Sequence, residues 1–329
     1  MVLERQARIA TRPLEFRDLA DPVPGPAEIL VRVAACGVCR TDLHVIEGDL
    51  EKHRLPLVPG HQVVGRVAAC GAGAARFLPG DRVGIAWLRG TCGSCAFCRG
   101  GRENLCGGSR YTGWDDNGGY ADYAIVNEEF AYAIPDRFSD AEATPLLCAG
   151  IIGYRALRRS LVGPGQKLGL YGFGSSAHIV AQLARHRGCT VYVATRSASH
   201  RRMAEELGAA WTGDTWDAPP VPLDGAIVFA PAGEVVPPAL RALGKGGTLA
   251  VAGIHMSDIP PLAYDLCLFH EKSLTSVTSN TRADGEELLR EAAEIPLRPW
   301  VTTFPMAEAN DALLTLANDG IRGTAVLVP

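Results

Sequence analysis

Four cysteines in one short stretch form a dense group of potential metal ligands. Their spacing is Cys92-x2-Cys95-x2-Cys98-x7-Cys106. One loop with this spacing can wrap four thiolates around a tetrahedral ion, and a closed site with four cysteine ligands leaves no position for a substrate. The cluster therefore predicts a structural zinc ion that orders a loop short of hydrophobic core.

Two further cysteines and a histidine are dispersed along the chain. Cys39 lies in the segment CGVCRTDLH, His61 follows Gly60, and Cys148 lies in the segment LCAG. Two thiolates and one imidazole would form an open zinc site, which keeps a fourth position for water or a substrate. Spacing alone leaves the alternative open that each of them is an ordinary core or surface residue.

A glycine-rich turn, GFGSSA, begins at Gly172 and fits the pattern G-x-G-x-x-G/A. Gly172 permits the tight turn, Gly174 lets the backbone approach a pyrophosphate, and Ala177 lets helix and strand pack closely. The turn follows a strand pattern and opens a helical one, which is the context that this motif requires. It predicts a dinucleotide whose phosphates face the N-terminus of the helix.

The second strand of the same region ends in Thr195-Arg196-Ser197, without the acidic residue that usually binds the ribose of NAD. Arg196 can pair with a 2′-phosphate, and Ser197, His200 and Arg201 can assist. We therefore favour NADP(H) over NAD(H), with Thr195 and Arg196 as cofactor-binding residues. In the alternative interpretation, Arg196 is a solvated loop residue and NAD is used.

The elements that position these residues differ between the two parts of the chain. The first ~150 residues contain short apolar runs punctuated by Gly and Pro, typical of irregular β structure. A capping-box spacing at Ser139 and Glu142 predicts a helix through the apolar stretch to Leu157. Strand patterns at 167–171, 190–194, 226–229 and 248–251 then alternate with helices. This alternation predicts an α/β fold with a doubly wound parallel sheet.

Composition excludes several classes of protein. The 329 residues suffice for two domains, and the net charge of −4 is spread along the chain rather than gathered in a basic face for nucleic acid. No apolar run approaches the ~20 residues that span a membrane, and the N-terminus lacks the order of a signal peptide. We therefore expect a cytoplasmic protein. Ten cysteines are many for such a protein, and because reducing conditions disfavour disulfides, the clustered cysteines are expected to be metal ligands or catalytic groups.

Five segments together resemble the zinc-containing alcohol dehydrogenases of the medium-chain dehydrogenase/reductase family. They are CGVCRTDLH, GHQVVG, CGSCAFCRGGRENLC, LCAGIIGYRAL and the GxGxxA turn, and they follow the family's order over essentially the whole chain. The resemblance implies a GroES-like irregular β catalytic domain at 1–150 and 283–329 and a Rossmann cofactor-binding domain at 151–282. It also implies an active site in the cleft between them.

The resemblance also implies roles for individual residues. Cys39, His61 and Cys148 would bind a catalytic zinc ion and the four clustered cysteines a structural one, which makes two zinc ions per chain. Asp42 would orient the ligand histidine. Cys36 is not at a ligand position. Gln62 stands where the family commonly has Glu. In some members that Glu can coordinate the metal transiently, and the neutral amide of Gln62 would be a poorer ligand.

Other implied roles concern substrate and cofactor. Arg40 and Arg322 would contact the cofactor pyrophosphate. Thr41 would hydrogen-bond the substrate oxygen and pass its proton on through the cofactor ribose, and His44 would release it to solvent. Trp87 would narrow the substrate pocket in favour of small or slim alcohols. Beyond what the resemblance implies, we expect Trp114 and Tyr111 on the same wall. Trp87 could equally be an ordinary core residue.

We therefore predict a zinc-dependent alcohol dehydrogenase that transfers a hydride between a primary or secondary alcohol and NAD(P), or from NAD(P)H to an aldehyde or ketone. Family members are commonly homodimers or homotetramers, and no nucleic-acid or membrane partner is expected. One alternative is an aldehyde or polyol reductase of the same family. Another is a non-catalytic cofactor-binding protein, but such a protein would tolerate loss of the catalytic zinc ligands, and all three are present.

Overall fold

The computed structural model describes residues 1–329. Its strands are β1 Val2–Leu3, β2 Leu14–Glu15, β3 Glu28–Val38, β4 Gln62–Cys70, β5 Arg82–Ile85, β6 Leu88–Gly90, β7 Arg110–Tyr111, β8 Tyr123–Asn127, β9 Ala131–Ala133, β10 Lys167–Tyr171, β11 Thr190–Ala194, β12 Trp211–Gly213, β13 Leu223–Val228, β14 Leu243–Val251, β15 Ser273–Ser276, β16 Val301–Pro305 and β17 Thr324–Val328. Its α-helices are α1 Arg40–Glu47, α2 Ala96–Arg99, α3 Asp140–Ala143, α4 Ala149–Arg159, α5 Ser175–His186, α6 Ala198–Glu206, α7 Val236–Ala242, α8 Tyr264–Cys267, α9 Arg282–Glu294 and α10 Ala309–Ala317. None of the helices combines the length and apolarity needed to cross a lipid bilayer.

The chain forms two compact units. Unit 1 comprises Met1–Cys148, Ser279–Ala293 and Arg298–Pro329, and unit 2 comprises Ala149–Thr278 and Glu294–Leu297. Each unit has a buried apolar cluster of its own, which is how a domain of this size is stabilised.

Unit 1 is built on a seven-stranded sheet in which β3 is central. The strand order is β16-β17-β3-β4-β5-β9, and β8 also pairs with β3. β3 and β4 run antiparallel, with Gly37 opposite Gln62. This register places the end of β3 beside the start of β4, so Cys39 and His61 come together although 21 residues separate them in the sequence.

The expected helix from Ser139 to Leu157 is only partly correct. Its N-cap is confirmed, because Ser139 Oγ accepts from the backbone N–H of Glu142 at 3.2 Å, and the Glu142 carboxylate accepts from the N–H of Ser139 at 2.9 Å. The continuous helix is wrong, since α3 passes into a short 3₁₀ helix that contains Pro145, and α4 begins only after Cys148. Proline has no N–H to donate and disrupts an α-helical ladder. Cys148 lies in this break, with φ −135° and ψ −74°.

Unit 2 contains a six-stranded sheet whose strands all run parallel. The strand order is β12-β11-β10-β13-β14-β15, which is the doubly wound order of Rossmann folds. The glycine-rich turn follows β10, where the strand order reverses, and α5 follows the turn. The predicted α/β class, with an irregular β domain and a doubly wound parallel sheet, is confirmed.

Candidate active site and metal centres

The first turn of α1 holds a thiol and a carboxylate in fixed positions. Cys39 is the N-cap residue, and its Sγ accepts a hydrogen bond from the N–H of Thr41 at 3.2 Å. In return, Asp42 Oδ2 accepts from the N–H of Cys39 at 2.9 Å. Because the N-terminus of a helix favours negative charge, this position favours the thiolate form of Cys39.

His61 is held between Asp42 and Cys39. Its Nδ1 hydrogen-bonds Oδ1 of Asp42 at 3.0 Å, and its Nε2 lies 3.3 Å from Sγ of Cys39. The side chains of His61 and Asp42 are 1% and 2% exposed. Since Asp42 engages Nδ1, the ring is oriented with Nε2 towards the sulfur, as a ligand histidine requires.

Gly60 supplies the backbone conformation that places His61. Its φ is +96°, and a Cβ there would lie 2.3 Å from the ring of Tyr120 and 2.9 Å from Sγ of Cys36. Only glycine meets both conditions without strain. Cys36 itself is fully buried, and burial raises the pKa of its thiol well above the ordinary value.

The ligand atoms of Cys39, His61 and Cys148 converge within 4.8 Å of one another. Tetrahedral zinc, with bonds of about 2.3 Å to sulfur and 2.0 Å to nitrogen, holds such a pair about 3.5 Å apart. The 3.3 Å between Cys39 Sγ and His61 Nε2 fits that geometry. Three ligands of this chemistry suit zinc and leave one coordination position for another group.

The charges within this cluster influence one another. A hydrogen bond from Cys148 is the main cause that holds the pKa of Cys39 well below its ordinary value, and the charge of His61 adds to the effect. Burial alone would lower the pKa of His61, but the negative charges of Asp42 and Cys39 raise it overall. The cluster thus favours a thiolate at Cys39, the form that binds a metal.

The four clustered cysteines lie together around α2, as their spacing predicts. The Sγ atoms of Cys92 and Cys98 are 3.9 Å apart, and those of Cys92 and Cys106 are 3.5 Å apart. A tetrahedral zinc centre with four sulfur ligands separates its sulfurs by about 3.8 Å. Backbone N–H groups of Ser94 and Cys95 lower the pKa of Cys92 to about 6. The donor set therefore fits a closed zinc site.

The structure brings the three aromatic side chains that the sequence singled out into contact beside His61. The Trp87 ring meets the His61 ring edge-on at 5.0 Å and stacks on Tyr111 at 4.9 Å. Trp114 lies nearly parallel to Trp87 at 5.8 Å. Sequence reasoning did not single out His53, which stacks on Trp114 at 3.9 Å, because no pattern marks a single histidine in a loop.

Thr41 and His44 lie three residues apart on α1, so they share one face of the helix. Thr41 is buried, and a hydrogen bond from it also lowers the pKa of Cys39. His44 Nδ1 hydrogen-bonds Asp49 Oδ2 at 2.8 Å. These contacts give each side chain a defined orientation.

Gln62 is fully buried at the start of β4, and neither atom of its side-chain amide has a hydrogen-bond partner in the protein. It packs against Gly37, where a Cβ would lie 2.8 Å from Gln62 Oε1. A buried amide without partners is rare and unfavourable. Gln62 thus differs from Asp42, whose two oxygens are both engaged.

The glycine-rich turn of unit 2 suits a pyrophosphate. Gly172 has φ +87°, and a Cβ there would approach the backbone nitrogen of Ala230 to 2.9 Å. A Cβ at Gly174 would meet nothing within 4 Å, so space is open beside the start of α5. Gly174 is the N-cap of this helix, and no side chain caps it. Ala177 is fully buried within unit 2. A small residue at this position allows the helix to pack closely on the strand, as the motif requires.

The loop after β11 carries the residues expected to determine cofactor preference. Thr195 is buried and its N–H donates to the carbonyl of Gly213 at 3.0 Å, whereas Arg196 is exposed. Arg201 Nη1 donates to the carbonyl of Thr195 at 2.6 Å and lies 3.3 Å from Asp214 Oδ2. Arg201 therefore holds the loop that carries Arg196.

The two arginines implied in pyrophosphate contact lie in unit 1 and have neighbours there. Arg40 forms an ion pair with Asp319. The Arg322 guanidinium lies 4.0 Å above the ring of Trp300. Both guanidinium groups are thus oriented by neighbouring side chains within the unit.

Comparison with known proteins agrees with this geometry. Residues 25–136 match the family model "Alcohol dehydrogenase GroES-like domain", and residues 177–294 match "Zinc-binding dehydrogenase". The chain is 54% identical to "Probable alcohol dehydrogenase AdhA" of Mycobacterium tuberculosis, over 99% of this chain and 96% of that protein.

Two solved structures extend the comparison. A cinnamyl alcohol dehydrogenase from Sorghum bicolor superposes with a TM-score of 0.89 at 30% identity, covering 98% of this chain and 96% of that one. A putative zinc-binding dehydrogenase from Sinorhizobium meliloti, bound to NADP, gives a TM-score of 0.83 at 28% identity, covering 95% of each chain.

Fold and site together define a zinc-dependent oxidoreductase that acts on the CH–OH group of alcohols. The chain belongs to the zinc-containing alcohol dehydrogenases of the medium-chain dehydrogenase/reductase family.

Proposed function

We propose that Cys39, His61 and Cys148 bind the catalytic zinc ion of this alcohol dehydrogenase. The observation that carries the proposal is the convergence of their three ligand atoms, with Asp42 orienting His61. We further propose that Cys92, Cys95, Cys98 and Cys106 bind a second, structural zinc ion. The chain would then hold two zinc ions with different coordination.

When bound in the three-ligand site, zinc supplies Lewis acidity towards the oxygen of an alcohol, aldehyde or ketone. Thr41 presents its hydroxyl beside the proposed ligand Cys39. In our proposal this hydroxyl would hydrogen-bond the substrate oxygen and relay its proton, accepting that proton while its own proton moves on towards His44. His44, on the same face of α1, would release the proton to solvent from its imidazole. Asp42 keeps the His61 ring in one orientation throughout.

We propose that one domain carries out catalysis and the other binds the cofactor. The residues 1–150 and 283–329 would form the catalytic domain, and 151–282 the cofactor-binding domain. The zinc-ligand clusters lie in unit 1, and the glycine-rich turn lies in unit 2. Gly172, Gly174 and Ala177 would receive the cofactor pyrophosphate, with Arg40 and Arg322 contacting it.

We propose NADP(H) as the preferred cofactor. No carboxylate stands at the end of β11, while Arg196 is exposed there and Thr195 precedes it. An arginine at this point can pair with the 2′-phosphate that distinguishes NADP from NAD. The bound NADP of the Sinorhizobium meliloti structure supports the proposal.

We propose that the chain forms a homodimer or homotetramer in the cytoplasm. β15 is an edge strand of the unit 2 sheet. Large apolar side chains are exposed within this strand, at Leu274, and in the segment that precedes it, at Tyr264, Leu266 and Phe269. An unpaired strand edge with apolar neighbours favours association with a second chain. Two thiolate metal sites favour a reducing compartment.

Activity of the purified protein tests the proposed catalytic site. Short alcohols and aldehydes are assayed with NAD(H) and NADP(H) in parallel, for the wild-type protein and for Cys39→Ala. We expect turnover with NADP(H), and its loss in Cys39→Ala. Cys70→Ala, at a cysteine outside both clusters, serves as the control and should remain active. A fully active Cys39→Ala enzyme would contradict the site assignment.

A further inference from the structure

An ion pair joins the start of α1 to the end of α10. Arg40 is the first residue of α1, and it pairs with Asp319, which follows the C-cap Asn318 of α10. The two helices pack against each other. Because we propose that Arg40 contacts the cofactor pyrophosphate, Asp319 holds the same guanidinium that this anion would contact.

The backbone of Asp319 has a conformation that favours glycine. Its φ is +55°, in the left-handed region where a side chain is strained. The N–H of Asp319 donates to the carbonyl of Leu316 at 3.1 Å. The N–H of Gly320 donates to the carbonyl of Thr315 at 2.9 Å. These two bonds end α10 in a Schellman motif, in which the left-handed position is usually glycine. The aspartate is therefore less favourable here than glycine would be.

The charges of the pair are also unfavourable for the helices that carry them. The N-terminus of a helix bears a partial positive charge and the C-terminus a partial negative charge. Arg40 places a cation at the N-terminus of α1, and Asp319 places an anion just beyond the C-terminus of α10. Neither charge is explained by its own helix. A strained residue that carries such a charge is typical of a functional site.

Both side chains of the pair are accessible to a ligand. The side chain of Arg40 is 47% exposed and that of Asp319 is 52% exposed. An ion pair this exposed is weak because water screens it, so another anion can replace the carboxylate. A pyrophosphate carries more negative charge than one carboxylate, and its oxygens accept hydrogen bonds from a guanidinium equally well.

Building on the proposed contact between Arg40 and the pyrophosphate, we propose that Asp319 competes with the cofactor for the Arg40 guanidinium. The pyrophosphate displaces the carboxylate when the cofactor binds, and the carboxylate returns when the cofactor leaves. Competition of this kind lowers the affinity in proportion to the fraction of molecules in which Asp319 engages Arg40. It also favours release of the cofactor, and release limits turnover in many enzymes.

Equilibrium binding of the cofactor to the purified protein tests the proposal without turnover. Cofactor fluorescence gives Kd values for NADPH and NADH in the wild type, Asp319→Asn and Asp319→Gly. Both variants lack the carboxylate, and both new residues accept a left-handed backbone. We expect each Kd to fall about three- to fivefold, because an exposed ion pair is weak. The factor should be the same for both cofactors, which share the pyrophosphate, and it should shrink as the salt concentration rises.

Two controls exclude a general effect of surface charge. Asp311→Asn removes another carboxylate of α10, which forms an exposed ion pair with Arg12. This variant should leave both Kd values unchanged. Adenosine 2′-phosphate lacks the pyrophosphate, so it should bind to the wild type and to Asp319→Asn with the same Kd.

The outcomes separate this proposal from the proposed function. An unchanged or higher Kd in Asp319→Asn would overturn the competition, because the carboxylate would then leave Arg40 available or orient it for the cofactor. Arg40→Ala should raise the Kd of both cofactors. Unchanged Kd values in Arg40→Ala would instead show that the proposed contact between Arg40 and the pyrophosphate is wrong.

Discussion

At the residue scale, Asp42 uses its two carboxylate oxygens for different tasks. Oδ2 accepts from the N–H of Cys39 and completes the cap of α1, while Oδ1 accepts from Nδ1 of His61. One buried side chain therefore fixes two of the three proposed ligands. Buried carboxylates are unfavourable unless their oxygens are satisfied, and here both are.

Asp42→Asn should weaken the catalytic metal site without unfolding the chain. The two hydrogen bonds go to different oxygens of Asp42. In Asn one of these positions becomes an NH₂ donor, which faces the N–H of Cys39 or of His61 without being able to accept from it. We expect zinc affinity at this site to fall about 10- to 100-fold, measured by competition with a chromogenic chelator. Asp311→Asn, at an exposed ion pair with Arg12, is the control. Unaltered zinc affinity in Asp42→Asn would refute the role assigned to this carboxylate.

Gln62 represents the opposite case, a buried amide without a partner in the protein. Gln62→Met keeps the length of the side chain and removes two unsatisfied polar atoms, so unfolding should cost about 1 kcal/mol more than in the wild type. Gln62→Glu places a carboxylate in the same position and should lower stability. Urea titration measures both. A less stable Gln62→Met would show that the amide has a partner that the protein itself does not supply.

At the element scale, the sequence predicts best where a strand has a regular apolar pattern. β10 and β11 occupy the predicted residues, 167–171 and 190–194. The apolar run at 28–33 by itself predicts a strand that ends at Val33, whereas β3 continues five residues further, to Val38. The extension runs through Ala34-Ala35-Cys36-Gly37, small residues with no strand pattern of their own. Pairing with β4 and β17 stabilises them, and such long-range pairing cannot be read from local pattern.

Long-range pairing also explains why residue spacing alone does not predict the three-ligand zinc site, and why that prediction rests on the family resemblance. Pro145 indicates by itself that the expected helix is interrupted before Cys148. The capping box at Ser139 and Glu142 predicts only where the helix begins, not how far it continues. The meeting of Cys39 with His61 depends on the register between β3 and β4, and the stacking of His53 on Trp114 depends on two loops. Only the four clustered cysteines lie close enough in sequence for spacing alone to indicate a metal site.

Helix α5 carries a buried histidine that should make stability depend on pH. Burial lowers the pKa of His178 to about 4, against 6.5 for the free side chain, although hydrogen bonds with the backbone of Gly174 and Ser175 oppose the shift. The unfolded state therefore binds the proton more tightly. The stability linked to His178 is present above pH 6.5 and is lost as the pH falls towards 4, by about 3 kcal/mol in total.

Urea unfolding of wild type and His178→Gln between pH 7.5 and pH 4.5 measures this contribution. The wild type should lose more stability over this range than the variant, because glutamine does not titrate. His186→Gln removes an exposed histidine at the other end of the same helix and should retain the wild-type pH profile. Parallel profiles for wild type and His178→Gln would show that His178 is not the titrating group.

At the scale of the whole molecule, the exposed apolar side chains between α8 and β15 form the surface at which we propose that a second chain binds. Phe269 is 57% exposed and Leu274 is 37% exposed. We expect the wild type to sediment as a dimer or tetramer, and Phe269→Lys combined with Leu274→Lys to sediment as a monomer. Trp216→Lys, at an exposed site elsewhere in unit 2, should sediment as the wild type does. A monomeric wild type would exclude the proposed interface.

The zinc content of the purified protein tests the central claim most directly. Elemental analysis of the active wild-type protein should find two zinc ions per chain. Cys39→Ala should retain one and keep its thermal stability, whereas Cys95→Ala should lose the other and melt at a lower temperature, because the loop around α2 loses its ordering ion. An active wild-type protein that contains no zinc, or a Cys39→Ala variant that retains both ions, would contradict the proposed catalytic centre.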